Sequence, residues 1–252
     1  MVKLIMHGCN GRMGQVITQL ADADENVRIV AGIDAYNKVL NDYPVYKTVA
    51  ECDVEADAVI DFSNAGAVDQ LLDDCAAKKL PVVLCTTGLS EEQIAKIEKT
   101  SEVTAVLKSA NMSLGVNMLL KLLKEVTKIL APAGFDIEIV ERHHNQKVDA
   151  PSGTALAMAD SMNEVLNNEY TYNFDRSKER QKREKKEIGM AAVRGGTIVG
   201  EHEVIFAGAD EVIEFKHAAH SKMVFAKGAL EAAKFLAGKP AGFYDMSDVI
   251  QL

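Results

Sequence analysis

The densest chemistry in the chain lies in ERHHNQKVDAPSGTA, positions 141–155. His143 and His144 are adjacent, and Lys147 follows closely. Imidazole and ammonium groups donate protons near neutral pH when their surroundings tune them. Ser152, Gly153 and Thr154 then stand at the head of a run with helical spacing, ALAMADSMNEVLNN. A helix start exposes backbone N–H groups and the positive end of the helix dipole, and both attract carboxylates. Plain capping of that helix by Ser152 or Thr154 is the simpler use of these residues. Two histidines and a lysine are more than capping needs. The combination points to a site that grips an acidic small molecule and hands it a proton. A metal centre is not implied, because adjacent histidines on a strand point apart and no acidic third ligand has the right spacing.

A second cluster is GCNGRMG, with Gly8, Gly11 and Gly14 between an apolar run (VKLIMH) and a helical one. Glycines allow a tight turn and let backbone N–H groups approach a pyrophosphate at a helix start. Three close glycines can also be just a turn. Here the context is strand–turn–helix, and Asp34 lies 20 residues after Gly14 at the end of the next strand. A carboxylate there accepts hydrogen bonds from ribose hydroxyls, so a dinucleotide site is expected. Asp34 favours NADH, since it repels a 2′-phosphate. Arg12 and Lys38 could reach a phosphate and favour NADPH, so either cofactor remains open. Cys85-Thr86-Thr87-Gly88 ends the fourth strand, where such sheets line their ligand crevice. An ordinary strand-capping turn would read the same way.

The elements that must hold these clusters follow from periodicity. Residues 2–7, VRIVAGID, 56–63, PVVLCTTG and VTAVLKS read as strands. QVITQLADAD, 67–79 and 90–101 read as helices between them, the last with Ser90 and Gln93 in capping-box spacing. This alternation predicts a parallel sheet with helices on both faces. The character changes near NMSLGVN (111–117). A long helix from 117, the strand FDIEIVERHH, the helix after Ser152 and three β-rich pieces (IGMAAVRGG, IVGEHEVIFAG, EVIEFKHAAH) predict a second, mixed and largely antiparallel sheet. The expected fold is α/β, a Rossmann-like dinucleotide-binding domain plus an α+β domain. The charged run 176–187 reads as a solvated loop or helix face, and could instead draw in an acidic substrate.

Composition narrows the function. A net charge of −9, no Trp and 6% aromatic residues argue against nucleic-acid binding. The apolar runs are too short to span a bilayer, and the N-terminus lacks a signal-peptide pattern, so a cytoplasmic protein is expected. Cys9, Cys52, Cys75 and Cys85 fit no zinc spacing and read as free thiols. Cys9 and Cys85 flank the glycine turns and could be reactive.

Together these motifs resemble the dihydrodipicolinate reductase (4-hydroxy-tetrahydrodipicolinate reductase) family over essentially the whole chain. GCNGRMG resembles its nucleotide turn and DFSNAGAV its third strand. CTTGL and NMSLGVN resemble its crevice and hinge segments, and VRGGTIVGEHEVIF its later strand pair. ERHHNQKVDAPSGTA is the most specific match. The resemblance implies reduction of a cyclic imine made from pyruvate and aspartate semialdehyde, in the diaminopimelate route to lysine, by hydride from C4 of NADH or NADPH. It implies His143 or Lys147 as proton donor, and His144, Lys147, Ser152, Gly153 and Thr154 as substrate-binding residues. The cofactor-binding set it implies is Gly8, Asn10, Gly11, Arg12, Met13, Gly14, Asp34, Phe62, Cys85, Thr86, Thr87, Gly88, Ala110, Asn111, Met112, Lys222 and Phe225. Met112 stands where the family commonly has Phe, and Lys222 where it commonly has Arg. A discontinuous first domain is implied, residues 1–112 and 222–252, around a substrate and oligomerisation domain, 113–221. A homotetramer built through the second domain's sheet is implied too. Two other readings stay open: a different two-domain NAD(P)-dependent dehydrogenase acting on amino acids, and a non-catalytic NADH-binding sensor.

Overall fold

The computed structural model of the chain describes residues 1–36, 41–178 and 180–250. It forms two compact units, Met1–Leu114 with Met223–Leu252, and Gly115–Lys222.

The first unit begins with β1 (Val2–His7), α1 (Arg12–Asp22), β2 (Val27–Ile33) and β3 (Val45–Tyr46). It continues with β4 (Ala58–Asp61), α2 (Ala65–Lys78), β5 (Val82–Leu84), α3 (Glu91–Ser101) and β6 (Ala105–Lys108). The second unit holds α4 (Leu114–Leu130) from its second residue on, β7 (Asp136–His143), α5 (Gly153–Glu164), β8 (Thr171–Asn173), β9 (Glu187–Arg194), β10 (Gly200–Ala207) and β11 (Val212–Ala219). The chain then returns to the first unit through α6 (Met223–Leu236), β12 (Gly242–Tyr244) and α7 (Met246–Val249).

The first sheet is parallel throughout, in the order β12-β6-β5-β4-β1-β2-β3. Strands buried on both faces read as unbroken apolar runs. Leu4 and Met6 join one core with Ile17 and Ala21 of α1 and Ala226, Ala229 and Ala233 of α6. Ile5, Val59 and Val82 join the other with Leu71 and Leu72 of α2 and Ile97 of α3. The helices therefore cover both faces, as the alternation predicts. The Ser90–Gln93 capping box is formed.

Two local differences have clear causes. α1 starts at Arg12 rather than Gln15, because extended Gly11 (ψ 165°) serves as its N-cap and Gly14 lies inside its first turn. The tail GFYDMSDVI contains β12, a strand too short to show a period. It exists because β6 offers an open edge, pairing Phe243 with Val106.

The second sheet runs β11-β10-β7-β9-β8. It is mixed: β10 pairs antiparallel with β11 and β7, while β9 pairs parallel with β7 and β8. The central parallel pair follows from the crossover through α5, which returns the chain to the same end of the sheet. One face packs under α4 and α5, with Leu123, Met158 and Met162 over Ile137, Ile139, Ile188, Val204 and Phe206.

Among its described residues the charged run is exposed except at Arg183 and Glu187, yet it is tied down by its arginines. Arg183 bonds Glu138 and Asp136 (3.0 and 2.9 Å) and the Ile137 carbonyl, and Arg176 also bonds Glu138. These arginines pin the segment along β7, while Lys178, Lys182 and Lys185 stay exposed.

Candidate functional site

In the first unit the glycine turn is built by close approach. Gly8 has φ +81°, and a Cβ there would lie 2.6 Å from the Phe62 carbonyl oxygen. A Cβ on Gly14 would lie 2.3 Å from the Gly8 oxygen. Only glycine at these positions lets the first turn of α1 sit against the end of β1. That helix start has no side-chain cap. The N–H groups of Arg12, Met13 and Gly14 precede the helix's own acceptors, as at any helix start. Such a cradle fits a dinucleotide pyrophosphate. Gly11 and Arg12 are exposed beside it, and Met13 packs partly into the core.

Asp34 follows β2, as its spacing requires. Its carboxylate accepts the backbone N–H groups of Asn10 and Tyr36, each at 3.0 Å, so it also holds the glycine turn in place. The Asn10 amide donates to the Tyr36 carbonyl and accepts from Asn41 (2.9 Å). Lys38 lies outside the described residues. Thr86 is buried and accepts the Ser63 N–H at 3.2 Å, while Thr87 and Gly88 (φ +73°) are exposed. Ala110 is exposed, and Asn111 accepts the Ser113 N–H at 2.8 Å. Met112 and Phe225 face the core, Met112 buried and Phe225 partly so. The Met112 carbonyl lies where a Cβ on Gly228 of α6 would fall, at 1.6 Å. Lys222 is exposed and is the last residue of the second unit.

Three of the thiols are quiet. Burial, then the charge of Asp34, pushes Cys9 up to about 11. Burial and Asp61 push Cys85 well up, and burial does the same at Cys75. A thiol held protonated is a poor nucleophile.

One element of this unit had no sequence signal. His7 Nδ1 meets the Asp61 carboxylate at 2.7 Å, and both are buried at the ends of β1 and β4. The pair forms because β1 and β4 are in register there, His7 opposite Asp61.

In the second unit the alternation of β7 sets the site. Ile137, Ile139, Glu141 and His143 take the buried positions of the strand. On the neighbouring β10, Phe206, Val204, His202 and Gly200 do the same. The register pairs Phe206 with Ile137, Val204 with Ile139 and His202 with Glu141. One face of the sheet thus changes from apolar to ionisable over two residues. The rings of His143 and His202 meet edge to face, 5.1 Å apart.

Glu141 is 0% exposed and accepts four hydrogen bonds. Its Oε1 takes the Ser152 N–H (2.9 Å) and Arg194 Nη2 (2.7 Å). Its Oε2 takes His143 Nδ1 (2.6 Å) and Arg194 Nη1 (2.8 Å). Burial alone would raise this carboxyl, but Arg194, His143 and the Ser152 N–H outweigh it and hold it below the usual range. Ser152 caps α5, accepting the Ala155 N–H at 3.2 Å, and its hydroxyl also meets His202 Nε2 at 2.9 Å. Burial, then the charge of neighbouring His143, pushes His202 down to about 4, so it is neutral near pH 7.

Lys147 follows in the loop and bonds both oxygens of Asp149, at 2.7 and 2.9 Å. Asp149 is held low, chiefly by Lys147 and also by the Gly153 N–H. The loop therefore already has a carboxylate resting on two of the donors expected to hold substrate. His144 is half-buried, Gly153 exposed and Thr154 half-buried at the start of α5. His143, Lys147, Ser152, Gly153 and Thr154 thus share one strand end, one loop and one helix start. Sequence reading missed Glu141, Arg194, His202 and Asp149. Glu141 alone carried a signal, since positions two apart on a strand share a face. Among the described residues, no three His, Cys, Asp or Glu side chains are grouped to hold a metal ion, and no helix is long and apolar enough to cross a membrane.

Comparison with known proteins bears on both units. The family profile "Dihydrodipicolinate reductase, N-terminus" matches residues 2–112, and "Dihydrodipicolinate reductase, C-terminus" matches 115–250. A 4-hydroxy-tetrahydrodipicolinate reductase of Caldanaerobacter subterraneus subsp. tengcongensis is 51% identical over 251 residues, 100% of this chain and 99% of that one. One from Clostridium novyi is 50% identical over the same shares. Among solved structures, a dipicolinate-bound dihydrodipicolinate reductase from Paenisporosarcina sp. TG-14 superposes with a TM-score of 0.82 at 21% identity, covering 99% of this chain and 100% of that one. An amine dehydrogenase from Mycobacterium smegmatis shares the fold at a TM-score of 0.61 and 13% identity, covering 100% of this chain and 96% of that one.

Proposed function

The chain belongs to the dihydrodipicolinate reductase family, and from that premise we propose how its residues divide the work of reducing 4-hydroxy-tetrahydrodipicolinate to tetrahydrodipicolinate. It is an oxidoreductase that uses NADH or NADPH. The bound nicotinamide supplies the hydride. The glycine turn and the start of α1 hold the pyrophosphate, and Asp34 meets the ribose. Lys147 Nζ and the N–H groups of Gly153 and Thr154 grip the substrate carboxylates, with His144 and Ser152 beside them. His143 or Lys147 delivers the proton that accompanies the hydride.

The observation that carries this reading is that the Glu141 carboxylate holds both the His143 imidazole and the Ser152 N–H, which ties His143 to the start of α5 where Gly153 and Thr154 stand, with Lys147 in the connecting loop. A dehydrogenase acting on amino acids needs no such paired anion grip, and a sensor needs no proton donor. Family membership also supports a place in the diaminopimelate route to lysine, a homotetramer and a cytoplasmic location. The test is NADH and NADPH oxidation at 340 nm, with substrate generated in place from pyruvate and aspartate semialdehyde by a synthase. Dipicolinate, a planar dianion, should compete with that substrate. Absence of turnover with either cofactor, in protein that binds NADH, would reject the reading.

A further inference from the structure

We propose that Glu141 and Arg194 are positioning residues that together decide which nitrogen of His143 carries the mobile proton and over what pH range it does so. The proposal rests on the reading that His143 serves the reduction. Glu141 is buried and takes two hydrogen bonds on each oxygen, from His143, Ser152 and both terminal nitrogens of Arg194. A carboxylate that accepts on all four sides has no proton of its own to give. Nδ1 of His143 is therefore the fixed N–H donor, and Nε2 is the nitrogen that gains and loses a proton. That nitrogen has local room, although His143 itself is buried. Beside it runs Gly200 of β10, where a Cβ would stand 3.1 Å from Nε2.

The charges around the ring explain why two residues are needed. Glu141 on β7 favours imidazolium. Arg194 on β9 opposes this, because its guanidinium spans both oxygens of the same carboxylate. His202 on β10 is neutral near pH 7 and adds no charge, and His217 on β11, paired opposite His202, is itself pushed down by burial. On the loop, Lys147 and Asp149 offset each other. Arg142 pairs with Glu201 and Glu203 instead. Arg194 offsets the charge of Glu141 while the carboxylate keeps the ring fixed through Nδ1.

The experiment is the pH profile of kcat in the wild type, Glu141→Gln and Glu141→Asp, with histidine 15N NMR on the ligand-free proteins. His143 acts as an acid, so activity falls as pH rises through its titration. Loss of the Glu141 charge should move this alkaline limb down by about one pH unit or more, the usual effect of one adjacent opposite charge. Glu141→Asp should restore the limb even if kcat stays low. In the wild type, NMR should show the Nδ1–H tautomer. A limb that stays in place while kcat falls at every pH would reduce Glu141 to a structural residue and overturn the proposal. So would an Nε2–H tautomer in the wild type, which can be read even if Glu141→Gln does not fold. If the wild type turns over no substrate, the functional reading fails instead, and the NMR result still judges the clamp.

Discussion

Replacing Gly14 with alanine should weaken NADH binding by one to two orders of magnitude without unfolding the protein. The added Cβ would lie 2.3 Å from the Gly8 oxygen and 2.7 Å from both Cα and O of Cys9. Carbon and oxygen atoms in non-bonded contact sit roughly 3.3 Å apart, so about 1 Å must be found. All three obstacles are backbone, and no rotamer can relieve them. The first turn of α1 must move outward, carrying the N–H groups of Arg12 and Met13 with it. Overpacking of this kind costs about 1–3 kcal/mol. If that strain falls on the bound state, the dissociation constant rises about 5- to 150-fold. NADH fluorescence titration reads the effect, with circular dichroism confirming the fold. Gly66→Ala is the control, because its Cβ meets only the end of the Asn64 side chain, at 3.2 Å, within a helix that alanine favours. A folded Gly14→Ala protein with wild-type affinity would refute the reasoning and remove the glycine turn from the cofactor site.

The remaining predictions concern carboxylates and a buried imidazole. Asp149→Asn removes the charge resting on Lys147 and should tighten dipicolinate inhibition several-fold, on the order of the 0–1 kcal/mol of an exposed ion pair; weaker inhibition would mean that Asp149 orders the loop for substrate. Asp34→Ala should raise the NADPH-to-NADH ratio of kcat/KM and weaken both cofactors, since it also frees the Asn10 and Tyr36 N–H groups; an unchanged ratio would place ribose selection elsewhere. His202 falls from 6.5 to about 4 in the folded state. Below its unfolded pKa the unfolded chain takes up a proton that the folded one refuses, so stability is full above about 6.5 and drops as pH falls towards 4. The drop is about 3 kcal/mol in all, about 2 of it by pH 5. Urea unfolding at pH 7 and pH 5 should show a smaller difference in His202→Asn than in the wild type, and equal differences would refute this.

Much of the protein was readable because its signals are local. The glycine turn, the Ser90 capping box and the apolar runs of β1, β2, β4 and β5 depend on residues a few positions apart. So do the neighbours of His143 and Lys147, since a strand end, a loop and a helix start lie within 15 residues of chain. What surrounds those groups depends on register, which periodicity does not specify. Arg194 reaches Glu141 across 53 residues because β9 lies parallel to β7 with Arg194 opposite His143. His202 reaches Ser152 across 50 because β10 runs antiparallel with His202 opposite Glu141. His7 and Asp61, 54 residues apart, meet for the same reason. β12 is visible only through the edge of β6 that it completes. Sequence determined which groups could give protons and bind anions. Tertiary pairing alone decided which carboxylate holds which imidazole, because a shift of one residue in a strand turns every side chain to the other face.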